Sequence, residues 1–318
     1  MFSLGIMSYT SGILLHHSVI LSPNQCSASN IIILHGLLGS SRNFGSFART
    51  LYARLERKHN VVVLDARNHG RSVKVGPLQL EYEAMAQDVL DTMQHLSIHS
   101  GHLVGHSMGG KIAATVALME PAVIKSLAIL DIAPVAYTAN ELSTVTDTVK
   151  FLKESSESLL QAQSKVDVKK ILESFTPDNN LQAFLLSNLQ ELSSSSAPLH
   201  SYTSSLSSTP SSTSTTTSNI VSTTSASSGF EWKFHVDPLY VGISSILGFT
   251  RNNTFSGPTV VIKAGNSDFV KTKHVTSIQK LFPDYRLVSI KNCGHWLHAE
   301  KPVETAEIIA QFIEAFDL

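Results

Sequence analysis

The chain is short of several features that define whole classes of protein. Its 24 Lys and Arg residues nearly balance its 25 Asp and Glu residues, which leaves a formal charge of −1. A protein with so little net charge lacks the positive field that holds polyanions, so we expect no nucleic-acid partner. The two cysteines, Cys26 and Cys293, are too few for a disulfide framework or a four-cysteine zinc site, so no structural metal is expected either.

Long apolar runs and an N-terminal basic segment are also missing. The longest apolar runs, such as Ile31 to Leu34, are far shorter than the roughly 18 residues of a membrane-spanning helix. No Lys or Arg precedes Arg42, so the basic segment of a secretory signal and the repeated Arg of a mitochondrial presequence are both absent from the first residues. We therefore expect no transmembrane segment and interpret these residues as the start of the fold.

One long segment contains no Asp, Glu, Lys or Arg at all. Residues 193–228 include 25 Ser or Thr among 36 positions. So little apolar surface cannot offset the entropy of ordering the backbone, which predicts a disordered surface insertion. Without it about 280 residues remain, a size typical of one α/β domain with a small accessory layer.

Outside this insertion, short β-branched runs alternate with longer helical periods, a pattern typical of a mostly parallel sheet covered by helices. The candidate strands are 12–21, 31–34, 61–65, 102–105, 127–131, 259–263 and 286–290. Helices are expected at 108–119, where Pro121 prevents continuation, and at 303–316. Four acidic side chains are expected to form a solvated helix face, namely Glu81, Glu83, Asp88 and Asp91.

The strand pattern vanishes between residues 135 and 192, where apolar residues recur at helical spacing. This block predicts a helical lid inserted into the α/β core, with an ordinary helical subdomain as the alternative. The expected organisation is a first part of the core at 1–134, the lid at 135–192, the insertion at 193–228 and a second part of the core at 229–318.

Residues Gly105 to Gly109 match the pattern G-x-S-x-G directly after a predicted strand and before a helix. A serine on such a tight turn projects its hydroxyl above the sheet, which makes Ser107 a candidate nucleophile. The same stretch also resembles the beginning of a phosphate-binding loop, because Gly110 and Lys111 follow Gly105 at the required spacing. That motif needs Ser or Thr next to bind magnesium, and the chain has Ile112, so the pattern favours the nucleophile.

A serine nucleophile needs a base, an acid that orients the base, and donors for the oxyanion. His295 lies in a loop between the last predicted strand and the last helix, where its imidazole can reach the sheet edge. Asp131 and Asp268 each follow a predicted strand and fit the order serine, acid, histidine, so the choice between them stays open here. The glycine-rich turn after the strand at 31–34 suggests that the N–H groups of Leu37 and Met108 bind the oxyanion.

Six segments of the chain resemble the α/β-hydrolase superfamily, specifically the alpha/beta hydrolase domain-containing protein eleven family and its bacterial esterase relatives. They are LHGLLGS at 34–40, DARNHGRS at 65–72, GHSMGGK at 105–111, LDIAPV at 130–135, AGNSDFV at 264–270 and GHWLHAEKP at 294–302. The resemblance implies an α/β-hydrolase fold, with a mostly parallel central sheet flanked by helices and a helical lid. It also implies Ser107 as nucleophile, His295 as base, and oxyanion donors at Leu37 and Met108.

The resemblance does not decide the acid. Asp131 matches the signature of the narrower family, whereas Asp268 occupies the position at which the broader superfamily keeps its acid, and we lean towards Asp268 on that ground.

The resemblance further implies a serine lipase or carboxylesterase that cleaves lipid-like acyl esters through an acyl-enzyme and requires no cofactor. The expected partner is a small-molecule acyl ester, and the expected location is the cytoplasm or, as in animal members of the family, the mitochondrion. Thioesterase, haloperoxidase-like and carbon–carbon bond cleavage are alternatives within the enzyme class. A slow or non-catalytic ligand receptor on the same fold is the alternative from another class.

Overall fold

The computed structural model describes residues 12–21, 29–57, 59–76, 79–192 and 229–317. The predicted Ser/Thr-rich insertion at 193–228 and Cys26 lie outside these residues. Within them, no helix combines the length and the hydropathy needed to cross a membrane. Among these residues the chain divides into two compact units, one up to residue 153 and from 233 onwards, and the other at 154–192 and 229–232.

The helices and strands of the described residues follow each other in the alternating order that the sequence predicts. The strands are β1 (His17–Ile20), β2 (Ser29–Leu34), β3 (His59–Leu64), β4 (Gly101–His106), β5 (Ile124–Leu130), β6 (Leu189–Glu191), β7 (Phe230–Trp232), β8 (Thr259–Ala264) and β9 (Tyr285–Ile290). The helices are α1 (Ser41–Arg54), α2 (Tyr82–His95), α3 (Met108–Met119), α4 (Ser143–Gln161), α5 (Lys165–Phe175), α6 (Asn179–Ser187), α7 (Val236–Val241), α8 (Ile243–Leu247), α9 (Val275–Leu281), α10 (Leu297–Glu300) and α11 (Pro302–Glu314).

A seven-stranded sheet forms the centre of the first unit, in the order β1-β3-β2-β4-β5-β8-β9 among the described residues. Only β1 runs antiparallel to its neighbour in this part of the chain, and the other pairs are parallel. The predicted fold class, a mostly parallel sheet flanked by helices, is confirmed. Because the strands β2, β4, β5, β8 and β9 are parallel, the residues that follow them gather at one edge, which we call the carboxyl edge of the sheet.

The first strand is shorter than predicted. The sequence suggests a strand over 12–21, but β1 covers only His17–Ile20. The preceding backbone is held by side chains of α2: the N–H of Gly12 donates to Asp91, that of Ile13 to Asp88, and that of Leu15 to Thr92. These backbone donors are therefore satisfied without a neighbouring strand.

Asp88 also corrects the expectation of a solvated acidic face on α2. Its side chain is fully buried and accepts two hydrogen bonds from the Arg67 guanidinium, at 2.6 and 2.7 Å. Burial raises the pKa of Asp88, and the Arg67 guanidinium opposes that shift. A charged pair with this bidentate geometry satisfies both groups inside the fold.

Lys111, which suggested a phosphate-binding loop, has a structural explanation. Its side chain is buried in α3, and Nζ donates hydrogen bonds to the carbonyl oxygens of Leu247 and Gly248 at 2.9 and 3.0 Å. The ammonium also lies 4.8 Å from the centre of the Tyr137 ring. Burial lowers the pKa of Lys111 to about 7. These contacts place the Lys111 charge at the carbonyl end of α8, where cations are favourable.

The second unit contains two capped helices, α5 and α6, and a short antiparallel ribbon of β6 and β7. Ser164 caps α5 and Asp178 caps α6 through their side-chain oxygens. Leu189, which the sequence suggests is helical, instead begins β6 and pairs with Trp232 of β7. The domain boundaries at 134, 192 and 228 stay predictions.

Asp65 joins the ends of three segments near the carboxyl edge. Its carboxylate accepts hydrogen bonds from the backbone N–H groups of Ser41 and Arg71, and lies 3.0 Å from Nδ1 of His16. Burial by itself raises the pKa of Asp65, but these N–H donors outweigh it and lower the pKa below its ordinary value. The ionised carboxylate therefore stabilises the fold above the ordinary carboxyl pKa, and this contribution disappears as the pH falls through the lowered pKa.

We expect Asp65→Asn to lower the free energy of unfolding by about 2–4 kcal/mol at pH 7, because one charged acceptor for buried donors is lost. The difference from the unchanged protein should shrink in acid, and urea unfolding at pH 7 and pH 3 measures both. Asp284→Asn, at an exposed position, is the control and should stay within about 0.5 kcal/mol. Equal stability of the two variants would contradict this role.

Candidate active site

Ser107 occupies the turn between β4, which ends at His106, and α3, which begins at Met108. Its backbone has φ 53° and ψ −121°, a conformation that a non-glycine residue rarely adopts. Such strain costs of order 1–3 kcal/mol and is characteristic of functional sites. The beginning of α3 directly after Ser107 also favours negative charge that develops there.

The two glycines of the G-x-S-x-G pattern are required by close backbone contacts. A Cβ at Gly105 would overlap the carbonyl oxygen of Gly109, and a Cβ at Gly109 would overlap the carbonyl oxygens of Leu34 and His35. Glycine therefore lets α3 approach both β4 and the turn that follows β2. The turn at 105–109, which we call the elbow, and the turn after β2 are held side by side for that reason.

The turn after β2 contains Leu37, one of the two predicted oxyanion donors, and the other, Met108, begins α3. The Gly39 N–H donates to the Gly36 carbonyl at 3.0 Å, and Leu38 has a positive φ of 62°. The Leu38 N–H is used by the ring of His69. Across the described part of the chain, neither the Leu37 N–H nor the Met108 N–H has a hydrogen-bond partner, as an oxyanion site requires.

Two buried histidines fix this turn, and the sequence analysis gave neither a role. The Nε2 atom of His35 accepts from the Ala66 N–H at 3.0 Å, so its Nδ1–H donates to the Gly36 carbonyl at 2.8 Å. His69 accepts from Leu38 at 3.0 Å. Burial lowers the pKa of His35, and burial together with His35 lowers the pKa of His69 to about 3. Both rings are therefore neutral near pH 7 and keep the lone pairs that the backbone donors need.

Gly36 allows the turn to lie against the elbow. A Cβ at this position would lie 2.9 Å from Nδ1 of His106 and 3.1 Å from Cβ of Ser107. We expect Gly36→Ala to displace the oxyanion donors and to lower kcat about 100-fold, with the fold retained. Gly76→Ala is the matched control, because a Cβ there meets nothing within 4 Å. Ester-hydrolysis rates and melting temperatures of both variants test this, and equal rates would contradict it.

The structure brings His295 and Asp131 together. Nδ1 of His295 lies 2.8 Å from Oδ2 of Asp131, whose side chain is fully buried. The second oxygen of Asp131 accepts the Ala264 N–H at 2.9 Å, so both carboxylate oxygens are used. A proton on Nδ1 of His295 leaves the lone pair on Nε2, which is the atom that a base presents to a serine.

Asp268 does not lie against His295, contrary to the preference stated above. Its side chain is 89% exposed and lies 3.6 Å from the Lys271 ammonium. The loop after β8 turns back before it reaches Asp268, because the N–H groups of Gly265 and Asn266 donate to the carbonyls of Ile290 and Cys293. The residue after Asp268, rather than Asp268 itself, contacts the histidine.

That residue is Phe269, which the sequence analysis missed. Its ring stacks on the His295 imidazole, with centroids 3.8 Å apart and planes 11° apart. The Phe269 carbonyl accepts a hydrogen bond from the Tyr137 hydroxyl, which in turn accepts one from the Ala133 N–H. The only sequence signal was its position directly after Asp268 in AGNSDFV.

His106 links the elbow to the loop after β9 that contains His295. Its Nε2 atom lies 2.8 Å from the His295 carbonyl oxygen, and the two imidazole rings are 4.6 Å apart. Burial and the neighbouring His298 and His295 rings lower the pKa of His106 well below its ordinary value. The neutral ring therefore donates its Nε2–H to the carbonyl, which places the His295 backbone beside the residue that precedes Ser107.

Two residues close to His295 in the sequence, Cys293 and His298, pack in the interior. His298 stacks on Phe44 with ring centroids 4.0 Å apart, and burial lowers its pKa to about 3. Cys293 is a buried free thiol whose pKa is raised to about 11, chiefly by burial and by the Glu300 carboxylate. The Cys293 thiol is therefore not ionised near neutral pH, and the neutral His298 ring is packed against Phe44.

An α/β hydrolase is defined by a parallel sheet that has three features at one edge: a serine elbow, a neighbouring turn with an oxyanion donor, and a histidine–aspartate pair. Comparison with known proteins leads to the same class. The profile of the α/β-hydrolase fold matches residues 30–302. The chain is 31% identical to the sn-1-specific diacylglycerol lipase ABHD11 of Mus musculus, over 89% of this chain and 80% of that protein. It is 28% identical to the esterase YbfF of Escherichia coli, over 91% and 95%.

A solved marine microorganism esterase has a TM-score of 0.76 and 26% identity to this chain, and the match covers 96% of this chain and 100% of that one. The chain belongs to the α/β-hydrolase family, in the group that contains ABHD11 and its bacterial esterase relatives.

Proposed function

We propose that this carboxylic ester hydrolase uses Ser107 as nucleophile, His295 as general base and Asp131 as the acid that orients His295. The observation that carries this proposal is the 2.8 Å contact between His295 and the buried Asp131. Both residues follow strands that end at the carboxyl edge, as Ser107 does.

The mechanism follows from the chemistry of these groups. Nε2 of His295 takes the Ser107 proton as the serine oxygen attacks the ester carbonyl, and Asp131 stabilises the imidazolium. The Leu37 and Met108 N–H groups bind the oxyanion of the tetrahedral intermediate. The imidazolium then protonates the departing alcohol, and the acyl group stays on Ser107. A water molecule, deprotonated by His295, releases the acid and restores the serine.

For the substrate we propose lipid-like acyl esters. This rests on the relative that is named an sn-1-specific diacylglycerol lipase and on the esterases among the other relatives. The mostly helical segment at 135–192 is proposed as a lid that selects the acyl chain. The reaction needs no cofactor, since serine, histidine and backbone donors supply every step. A location in the cytoplasm or the mitochondrion stays a prediction.

A panel of p-nitrophenyl esters with acyl chains of two to sixteen carbons, together with a diacylglycerol, tests this function. We expect steady turnover with a clear chain-length optimum, and release of fatty acid from the diacylglycerol. Binding of these esters without turnover would favour a receptor on the same fold. Hydrolysis of thioesters but not of esters would indicate a thioesterase instead.

A further inference from the structure

A second cluster of ionisable side chains lies at the opposite edge of the sheet from Ser107. His59 is the first residue of β3, His102 is the second residue of β4, and Asp317 follows α11. Nε2 of His59 lies 3.1 Å from one Asp317 oxygen, and Nε2 of His102 lies 3.4 Å from the other. All three ligand atoms lie within 4.8 Å of one another, and both histidines are fully buried.

The outer nitrogens of both rings are already engaged, which directs the Nε2 atoms inward. Nδ1 of His59 lies 3.0 Å from the Arg57 carbonyl oxygen, which can only accept, so Nδ1 carries the proton of a neutral ring. Nδ1 of His102 lies 2.8 Å from the buried Ser126 hydroxyl, which can accept from it in the same way. Metal-binding histidines are oriented by this type of contact, in which the second ring N–H donates to an oxygen acceptor.

An unpartnered ring nitrogen of His59 is a separate indication that a cation binds here. Its Nε2 atom is buried and has no hydrogen-bond partner among the described residues, although a carboxylate oxygen is 3.1 Å away. A lone pair that faces a carboxylate is unfavourable unless a proton or a metal cation lies between them. The Nε2 atom of His102 approaches the other Asp317 oxygen at 3.4 Å, within hydrogen-bond distance.

We propose that His59, His102 and Asp317 bind one zinc ion or a similar divalent transition metal. Two imidazoles and a carboxylate form a common zinc ligand set, and water completes the tetrahedron. Ligand atoms of tetrahedral zinc, at about 2.1 Å from the metal, are about 3.4 Å apart. The two histidines approach different Asp317 oxygens, at 3.1 and 3.4 Å, and the three ligand atoms lie within 4.8 Å of one another, so zinc binding would draw them slightly closer together. The ion ties the segment after α11 to the beginnings of β3 and β4.

Lys125 gives the proposal a distinctive consequence. Its ammonium lies 2.7 Å from Oδ1 of Asp317 and is one-third exposed, so it competes with a cation for this carboxylate and can move into solvent. If the cluster were only an ion-pair network, it would bind no metal with or without Lys125. If it is a metal site, removing Lys125 strengthens metal binding.

The test is calorimetric titration of the metal-free full-length protein with ZnCl₂, together with thermal unfolding. We expect one equivalent to bind and the melting temperature to rise by roughly 5 °C when free zinc is about 100 times Kd. Asp317→Ala should abolish both effects, whereas Glu307→Ala, which removes an exposed carboxylate on α11, should leave them unchanged. Lys125→Gln should tighten zinc binding about fivefold.

Cobalt(II) absorption of the unchanged protein is a readout that needs no variant, because tetrahedral coordination by nitrogen and oxygen ligands gives strong visible bands. Hydrolysis of p-nitrophenyl esters by Asp317→Ala should stay within about twofold, since Asp317 lies at the other edge of the sheet, and this separates the proposal from the ester-hydrolase function. Absence of zinc binding by the unchanged protein, or equal binding by Asp317→Ala, would overturn it.

Discussion

Replacement of Ser107 by alanine is expected to lower kcat for ester hydrolysis by about 10⁵–10⁶-fold, with folding retained. No other group can form the acyl-enzyme at the elbow, so the loss is that of a missing nucleophile, and only the slower reaction assisted by the oxyanion donors remains. Alanine also fits the positive φ at this position no worse than serine does. Steady-state kinetics on the best p-nitrophenyl ester measures the effect.

Ser46→Ala is the matched control for this variant. Ser46 lies on the exposed face of α1, where alanine is well tolerated. Its kcat should equal that of the unchanged protein. If Ser107→Ala retained more than about one-hundredth of the activity, the elbow would not carry the reaction.

The second large effect distinguishes the two candidate acids. Asp131→Asn should lower kcat by about 10⁴-fold, because the amide presents an N–H to His295 and stabilises the wrong tautomer. The Asn oxygen can still accept the Ala264 N–H, so the fold should survive. Asp268→Asn, at an exposed side chain, should change kcat by less than about twofold.

The pair of variants is its own control, since both remove one negative charge from a loop at the carboxyl edge. Thermal unfolding of each shows whether a loss of rate arises from a loss of structure. A large loss for Asp268→Asn with little loss for Asp131→Asn would reverse the assignment. Equal small losses would contradict the histidine–aspartate pair altogether.

Features with a local cause were predictable from the sequence. Strand and helix periodicity gave the parallel sheet and placed α3 at the observed Met108–Met119. The elbow was visible because one short motif contains the strained residue and both glycines that the close backbone contacts require. The turn after β2 was predictable for the same reason, because the short segment LHGLLGS contains the glycines that this turn requires.

Features that depend on distant contacts were not predictable. Asp131 and Asp268 both follow parallel strands, so the sequence does not distinguish them as candidates for the acid. Only the turn after β8 directs Asp268 to solvent. Phe269 becomes visible only when its ring is seen on His295. Asp88 looked like a surface acid because its partner, Arg67, lies in another segment of the chain.

The proposed metal ligands are a further example of residues that only distant contacts bring together. His59, His102 and Asp317 have no short spacing that would mark a zinc motif, and the sequence analysis expected no metal. Their proximity arises because β3 and β4 begin at the same edge and α11 ends there. A spacing pattern cannot reveal ligands that the sheet topology assembles.

The most direct test of the account is to treat the folded protein with a fluorophosphonate and to locate the adduct by peptide mass spectrometry. The reagent forms a stable bond only with a serine that a nearby base activates. We expect one adduct per chain, on Ser107, and slow or absent labelling in Asp131→Asn. Folded protein that stays unlabelled, or carries the adduct on another residue, would contradict it.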